Sequence, residues 1–373
     1  MMMAKRPTLS LCMIVRNEAA LLPRFLASTT GLWDQFVVVD TGSTDGSQAI
    51  LAAAGAEIVE IAWPDNFAKA RNAALEQARG DWILVLDADE FPGPGFAAEL
   101  RRLIADPAIG AATINIASLQ PNGSRRSAHL LRLFPRDPAL RYRYRIHEDI
   151  GEPVLQRLAQ TGQRLGQIRT PVEHVGYTPG QLASKDKQAR DERLLRLAIA
   201  DDPSDLYARF KLMEQHRLWD QRDKWQDEAR QCLALLGPGV AIQPRHIAGE
   251  LLDLVRIGVF GDDVAQGRQF LLSRQAQAGR DPHYQLALGA LDEQAGDLAA
   301  ALACYKATLT LAESYPARTL LETRGLMGLA RLSLAIGDLA SAREFTAAAA
   351  ELSPDDPEVN TAHQLLEGQP WPK

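Results

Sequence analysis

A chain of 373 residues, 46% hydrophobic and 24% charged, has the length of about two globular domains, which argues against wholesale disorder and against a fibrous repeat. Its formal net charge of −6 argues against a general affinity for nucleic acid, because phosphate binding is driven by clustered Lys and Arg. Cys12, Cys232 and Cys304 lie far apart with no CxxC pair, against a disulfide framework or a thiolate zinc site, and no stretch approaches the roughly 18 apolar residues of a membrane span, so the expected location is cytoplasmic.

The opening "MMMAKRPTLSLCMIVRNEA" places basic residues before a short apolar run. That run meets Arg16, Asn17 and Glu18 without a small-residue cleavage site, so it reads as a first strand. Strand-length, β-branched runs recur at "LSLCMIV" (9–15), "QFVVVD" (35–40), "AEIVEI" (56–61), "DWILVLD" (81–87) and "AATINIASL" (111–119). Helical segments separate them: 18–28, 47–54, 67–79, where Arg71 and Asn72 are expected to open the helix, and 95–104. Strands alternating with helices predict an α/β fold with a mainly parallel sheet covered on both faces, whose ligands bind at the carboxyl ends of the strands.

Acidic residues stand at that end. "VVVDTGSTDGS" finishes a strand in Asp40 and continues in a glycine-containing turn, where Asp45 or Ser47 can cap the next helix. "LVLDADE" finishes another in Asp87, Asp89 and Glu90. Like charges that close repel and are costly to bury, so something positive is expected among them. Two carboxylates two residues apart can direct oxygens to one hard cation, Mn2+ or Mg2+, which can bridge diphosphate oxygens. Neither GxGxxG after the first strand nor GxxxxGK[ST] is present.

From 120 to 177 the pattern loosens. "PNGS" is a turn signal, "HLLRLFPRD" reads as a further strand, and "RYRYRIHEDI" brings basic and aromatic residues up to His147, Glu148 and Asp149. From Leu182 the chain is helical in character to near residue 365, with breaks at "DDPSD", "GPG", "GRDPH" and "SPDDPE". Segments 283–311 and 325–357 each pair an apolar helix with an alanine-rich one across Gly296-Asp297 and Gly337-Asp338, 41 residues apart, and 207–235 reads as a degenerate copy. The period exceeds the roughly 34 of a tetratricopeptide repeat, with "ESYPARTLLET" as the extension. The alternatives are a small stack of helical hairpins and an irregular bundle.

"LCMIVRNEAALL", "VVVDTGSTDGS", "FAKARNAALEQARGDWILVLDADE" and "IHED", in this order, resemble the family 2 glycosyltransferases of GT-A fold, and most of all the bacterial subgroup with tetratricopeptide-like (TPR-like) helices after the catalytic domain, which includes peptide S-glycosyltransferases. The resemblance covers about residues 8 to 180. It implies a catalytic domain at 1–180, an all-α TPR-like domain at 181–373, and inverting transfer of a sugar from a nucleotide-diphosphate donor.

Residue by residue, it implies that Asp40 reads the base and Arg71 lies near base and diphosphate. Asp87 and Asp89 form the D-x-D pair, Asp89 being the metal ligand, and Glu90 faces the sugar hydroxyls. Arg16 stands where an aromatic residue often stacks on the base, with uracil the first choice. Direct displacement needs one carboxylate to take the acceptor's proton, here Glu148 with Asp149 close behind. The alternative for both is an acidic turn paired with Arg141, Arg143 or Arg145. His174 falls at a third metal or phosphate contact. The implied partners are a nucleotide sugar and a peptide, protein or glycan acceptor, with a homodimer through the helices as a further expectation. The rival readings are a nucleotide-sugar-binding scaffold without turnover and a lipopolysaccharide-core or cell-surface glycan transferase whose basic segment 125–145 approaches an anionic membrane surface.

Overall fold

The run LSLCMIV forms β1 (Leu9–Val15), a central strand buried along nearly its whole length in the computed structural model, which describes residues 6–119, 125–175, 185–237, 239–312, 318–354 and 356–366. β1 pairs in parallel with β2 (Gln35–Asp40) and β4 (Trp82–Val85), and β2 pairs in parallel with β3 (Glu57–Glu60). Beyond β4 the sheet becomes mixed. β7 (Arg125–Pro135) runs antiparallel to β4 and to β6 (Ile109–Leu119), β8 (Arg164–His174) is parallel to β6, and β5 (Glu90–Pro92) is antiparallel to β8. The order is β3-β2-β1-β4-β7-β6-β8-β5. The α/β class matches expectation, with the parallel pairing concentrated in the first half.

Alternating side chains feed two cores. Leu9, Leu11, Met13, Phe36 and Val38 pack with Phe25 of α1 (Leu22–Ser28), Leu51 of α2 (Ser47–Ala53) and Phe96 and Leu100 of α4 (Phe96–Ala105). Cys12, Val37, Val39, Ile83 and Val85 pack on the other face with Ala74 and Leu75 of α3 (Phe67–Gln77) and Val154 and Leu158 of α5 (Gly151–Thr161). Each fully buried Leu or Phe contributes about 1.5–3 kcal/mol, so the sheet is the rigid base from which the acidic strand ends project. β5, α5 and β8 were not anticipated. β5 is short, and β8 carries Pro171 beside a register shift between Ile114 and Asn115 of β6, where a regular alternation fails.

The chain divides into two compact units, Met1–Asp201 and Asp202–Lys373. Helix α6 (Lys185–Asp201), expected in the helical half, belongs to the first. Arg193 donates to Asp65 at 2.9 Å and the Arg190 guanidinium lies over the Phe67 ring, so charge and aromatic contacts hold this helix to the start of α3 and the residues just before it. The expected turns at "PNGS" and "YTPGQ" lie outside the described residues.

In the second unit, helices pair as hairpins: Leu206–Leu218 with Arg222–Leu235, Ala248–Phe260 with Val264–Leu272, Pro282–Gln294 with Leu298–Ala312, and Arg318–Ala335 with Leu339–Leu352. Gly296 and Gly337 adopt φ of 78° and 82°, a left-handed conformation that ends the first helix of each pair. The following Asp then caps the second, Asp338 accepting from Ser341 N and Asp297 from Ala300 N. In the first hairpin Asp220 takes the left-handed position at φ 53° and Gln221 gives no side-chain cap, which is why that copy reads as degenerate. The pair around Gly261 and Asp263 is one the sequence reading did not identify. Among the described residues no helix is long and apolar enough to cross a membrane.

Candidate functional site

The turn after β2 is built by its own acidic residues. Asp40, 1% exposed, accepts from Gly42 N and Ser43 N at 2.7 Å each through Oδ1, while Oδ2 is buried without a hydrogen-bond partner. Asp45 accepts from Ser47 and from Ala19 N, and Ser47 Oγ accepts from Glu18 N. Asn17, at φ 58°, accepts from Thr44 N and donates its own N–H to Ser43. These bonds lock the loop after β1 onto the turn after β2. Gly46, not Asp45 or Ser47, occupies the α2 N-cap position. Arg16 is exposed beyond the end of β1.

At the end of β4 the positive charge comes from arginines. Arg71 lies in the middle of α3, which Asn66 caps, so it does not open that helix as expected. The small residues Ala68, Ala70 and Ala74 let α3 sit close to the sheet, and Arg71, 6% exposed, reaches across. Nη1 and Nη2 donate to the two Asp87 oxygens at 2.9 and 3.0 Å, and Nε donates to Glu148 Oε1 at 2.6 Å. Arg132 of β7 adds contacts of 3.3 Å to Asp87 and 3.5 Å to Glu90. Burial pushes the Asp87 carboxyl up, but Arg71 and Arg132 outweigh it and hold it well below the ordinary range. Glu90 accepts from Asp87 N at 2.9 Å and is 3% exposed. Burial, with the Asp87 charge beside it, raises its carboxyl to about 7 against the opposing pull of Arg132.

Asp89 has a different partner. The pairing of Glu90 with His174 across β5 and β8 brings His174 Nε2 to 3.2 Å from Asp89 Oδ2, and Nδ1 lies 3.0 Å from Ser118 Oγ, which fixes the ring. Burial lowers the imidazole pKa, but the Asp89 contact outweighs it and the net shift is upward. A carboxylate and an oriented imidazole converging on one point form a donor pair suited to one hard divalent ion. Asp87 does not join them. Among the described residues no group of three or more His, Cys, Asp or Glu side chains is placed to hold a metal; of the expected Asp87, Asp89 and His174, Asp89 and His174 face each other, whereas Asp87 is engaged by Arg71 and Arg132. The reason is electrostatic: the Asp87 carboxylate already lies between two guanidinium groups.

Segment 136–150 has no helix or strand and is held by α3. Asn72 exchanges hydrogen bonds with the Tyr142 backbone at 2.8 and 2.9 Å, and Phe67 N donates to Arg145 O at 2.7 Å. Tyr144 and His147 adopt φ of 69° and 54°, left-handed conformations that cost about 1–3 kcal/mol each and cluster at functional sites. Between them and α5 the two expected catalytic carboxylates part. Glu148 turns inward to Arg71, whereas Asp149 pairs through its backbone with Arg143 and lays its carboxylate beside Gly151 at the start of α5. Neither carboxylate follows the acidic-turn alternative in which both pair with Arg141, Arg143 or Arg145.

Four residues near this cluster were not identified from sequence: Arg132, Ser118, Tyr142 and Glu18. The phenol of Tyr142 is buried without a hydrogen-bond partner, and its ring lies 5.8 Å from the Arg71 guanidinium. Burial, then Asp89, Asp45 and Asp87, raise the Glu18 carboxyl to about 7. The signal for Arg132 was a single cation inside the apolar run "HLLRLF".

Residues 10–159 match the family model described as Glycosyl transferase family 2. A TPR repeat-containing protein of Synechococcus elongatus is 40% identical over 205 residues, covering 54% of this chain and 51% of that protein. The SPbeta prophage-derived glycosyltransferase SunS of Bacillus subtilis is 26% identical over 204 residues, 51% of this chain and 46% of SunS. Among solved structures, S. aureus TarS 1-349 in complex with UDP-GlcNAc aligns with a TM-score of 0.44 and 13% identity, covering 78% of this chain and 92% of that one. The chain spans about half the length of the curated relatives it matches. The matched segment runs from β1 into α5 and contains every carboxylate of the site, while His174 of β8 lies beyond it, and the first unit therefore carries a glycosyl transferase family 2 domain.

Proposed function

We propose that this chain transfers a sugar, with inversion, from a nucleotide-diphosphate donor to a hydroxyl or thiol of a peptide, protein or glycan acceptor, with uracil the first choice of base. The observation that carries the reading is the inward-facing Glu148, joined through Arg71 to the strand end that bears the D-x-D pair. Asp40 supports it, because a buried Oδ2 without a partner is suited to an N–H of the base. Direct displacement needs a carboxylate that accepts the acceptor's proton, and Glu148 takes that part. Asp89 and His174 would hold a divalent ion, which supplies charge neutralisation for the departing diphosphate when bound. Glu90, its carboxyl raised to about 7 by burial, would meet a sugar hydroxyl.

The test is release of UDP from UDP-sugars. Glu148→Gln should lower the rate by about 100-fold or more, in the range of general-base contributions, while Asp149→Asn should keep most of it. The reverse result assigns the base to Asp149 and contradicts this assignment.

A further inference from the structure

One short polar contact of the site joins two groups that belong to different parts of the chain. Arg71 Nε meets Glu148 at 2.6 Å, and the other end of the same guanidinium grips Asp87 with two parallel bonds at 2.9 and 3.0 Å. Three N–H donors of one buried side chain are thus committed to two carboxylates. Glu148 lies on a segment without regular structure, whereas Asp87 follows directly from a central strand of the sheet. The Asn72 and Phe67 bonds hold the backbone of that segment, and Arg71 alone among these contacts fixes the Glu148 side chain.

We propose that Arg71 is a positioning residue for the proton-accepting carboxylate, tying Glu148 to the β4 strand end so that base and donor platform form one rigid unit. The inference rests on the reading of Glu148 as the base. A guanidinium suits this part because it is planar, offers donors on two edges and stays charged. An ammonium is a point donor on a flexible stem and cannot grip both carboxylates in fixed geometry. Misplacing a reacting group by about 1 Å can cost about 100-fold in rate, so a loosened Glu148 should be felt in turnover and not in donor binding.

The experiment measures kcat and KM for UDP release, with water as acceptor, from UDP-glucose and UDP-N-acetylglucosamine in the presence of Mn2+. It compares the full chain with Arg71→Lys, Glu148→Gln and the double variant, all checked for folding by their thermal midpoints. Arg71→Lys keeps the positive charge between the carboxylates. It should lower kcat by about 10- to 100-fold with donor KM within about threefold of the parent, and should add little to the loss already caused by Glu148→Gln, as expected of residues that act as a unit. A raised donor KM with unchanged kcat would place Arg71 on the nucleotide and overturn the proposal. So would losses that multiply in the double variant. If Glu148→Gln turns over normally, the base reading fails, and an Arg71→Lys defect beside it shows that Arg71 acts by another route. Wild-type protein that releases no UDP from either donor defeats the functional reading itself, and the positioning role with it.

Discussion

Burial lifts the carboxyl of Glu90 to about 7, while two guanidinium groups hold its neighbour Asp87 far down, so adjacent acids carry opposite shifts. The two shifts act on stability in opposite pH windows. A carboxyl whose pKa rises on folding binds its proton more tightly in the folded state. The contribution of Glu90 is therefore full below its ordinary 4.5 and is lost as pH climbs through about 7. Asp87 contributes above its ordinary 3.8 and loses that contribution as pH falls through its depressed value. Glu90→Gln removes the first effect, so between about pH 5 and 8 its melting temperature should fall less than that of the wild type. A parallel decline in both proteins would show that Glu90 does not carry the shift. At Asp89 the expectation concerns the ion: Asp89→Ala should abolish transfer and the Mn2+ dependence of donor-induced stabilisation, whereas Asp89→Ala that keeps both would remove the metal role. The acidic clusters were legible residue by residue because charge at a strand end is written directly in the sequence. Their partners were not. Arg71 and Arg132 come from a helix and a strand distant in the chain, and the packing of α3 on β1 and β2 and the pairing of β7 with β4 bring them to the same strand end.

Among the elements, the first four strands lie within a few residues of their expected positions because β-branched runs bounded by polar turns leave little choice. β8 escaped because proline and a register shift break its alternation, and with it escaped the reason His174 meets Asp89. The helical hairpins depend on close approach. Gly328 faces the Tyr305 ring, and a Cβ there would lie 2.6 Å from it. Alanine normally favours a helix by about 1 kcal/mol, but a rigid, fully buried ring cannot yield, so overpacking should win and Gly328→Ala should be destabilising by about 1–3 kcal/mol. Asp338→Ala removes the cap on Ser341 N and should cost about 1 kcal/mol. Urea unfolding of both variants checks these values, and an unchanged or raised Gly328→Ala midpoint would contradict the packing argument.

At the scale of the whole molecule, the family 2 domain and the helical hairpins are separate compact units, and the alternation of strands with helices giving way to helices alone already announced both. The expected boundary at residue 180 differs from the contact boundary at Asp201 because α6 continues the helical pattern while its side chains bind the first unit. A donor that binds the native state alone must raise the thermal midpoint, by an amount that grows with the logarithm of its concentration over its Kd. The central claim, a nucleotide-sugar site closed by Asp40, Asp89 and His174, therefore meets its most direct test in thermal unfolding with a panel of nucleoside diphosphates and their sugars, each with Mn2+ and again with EDTA. UDP or a UDP-sugar should raise the midpoint with Mn2+, and EDTA should remove most of the shift. No shift from any nucleotide at concentrations well above ordinary donor affinities would contradict it.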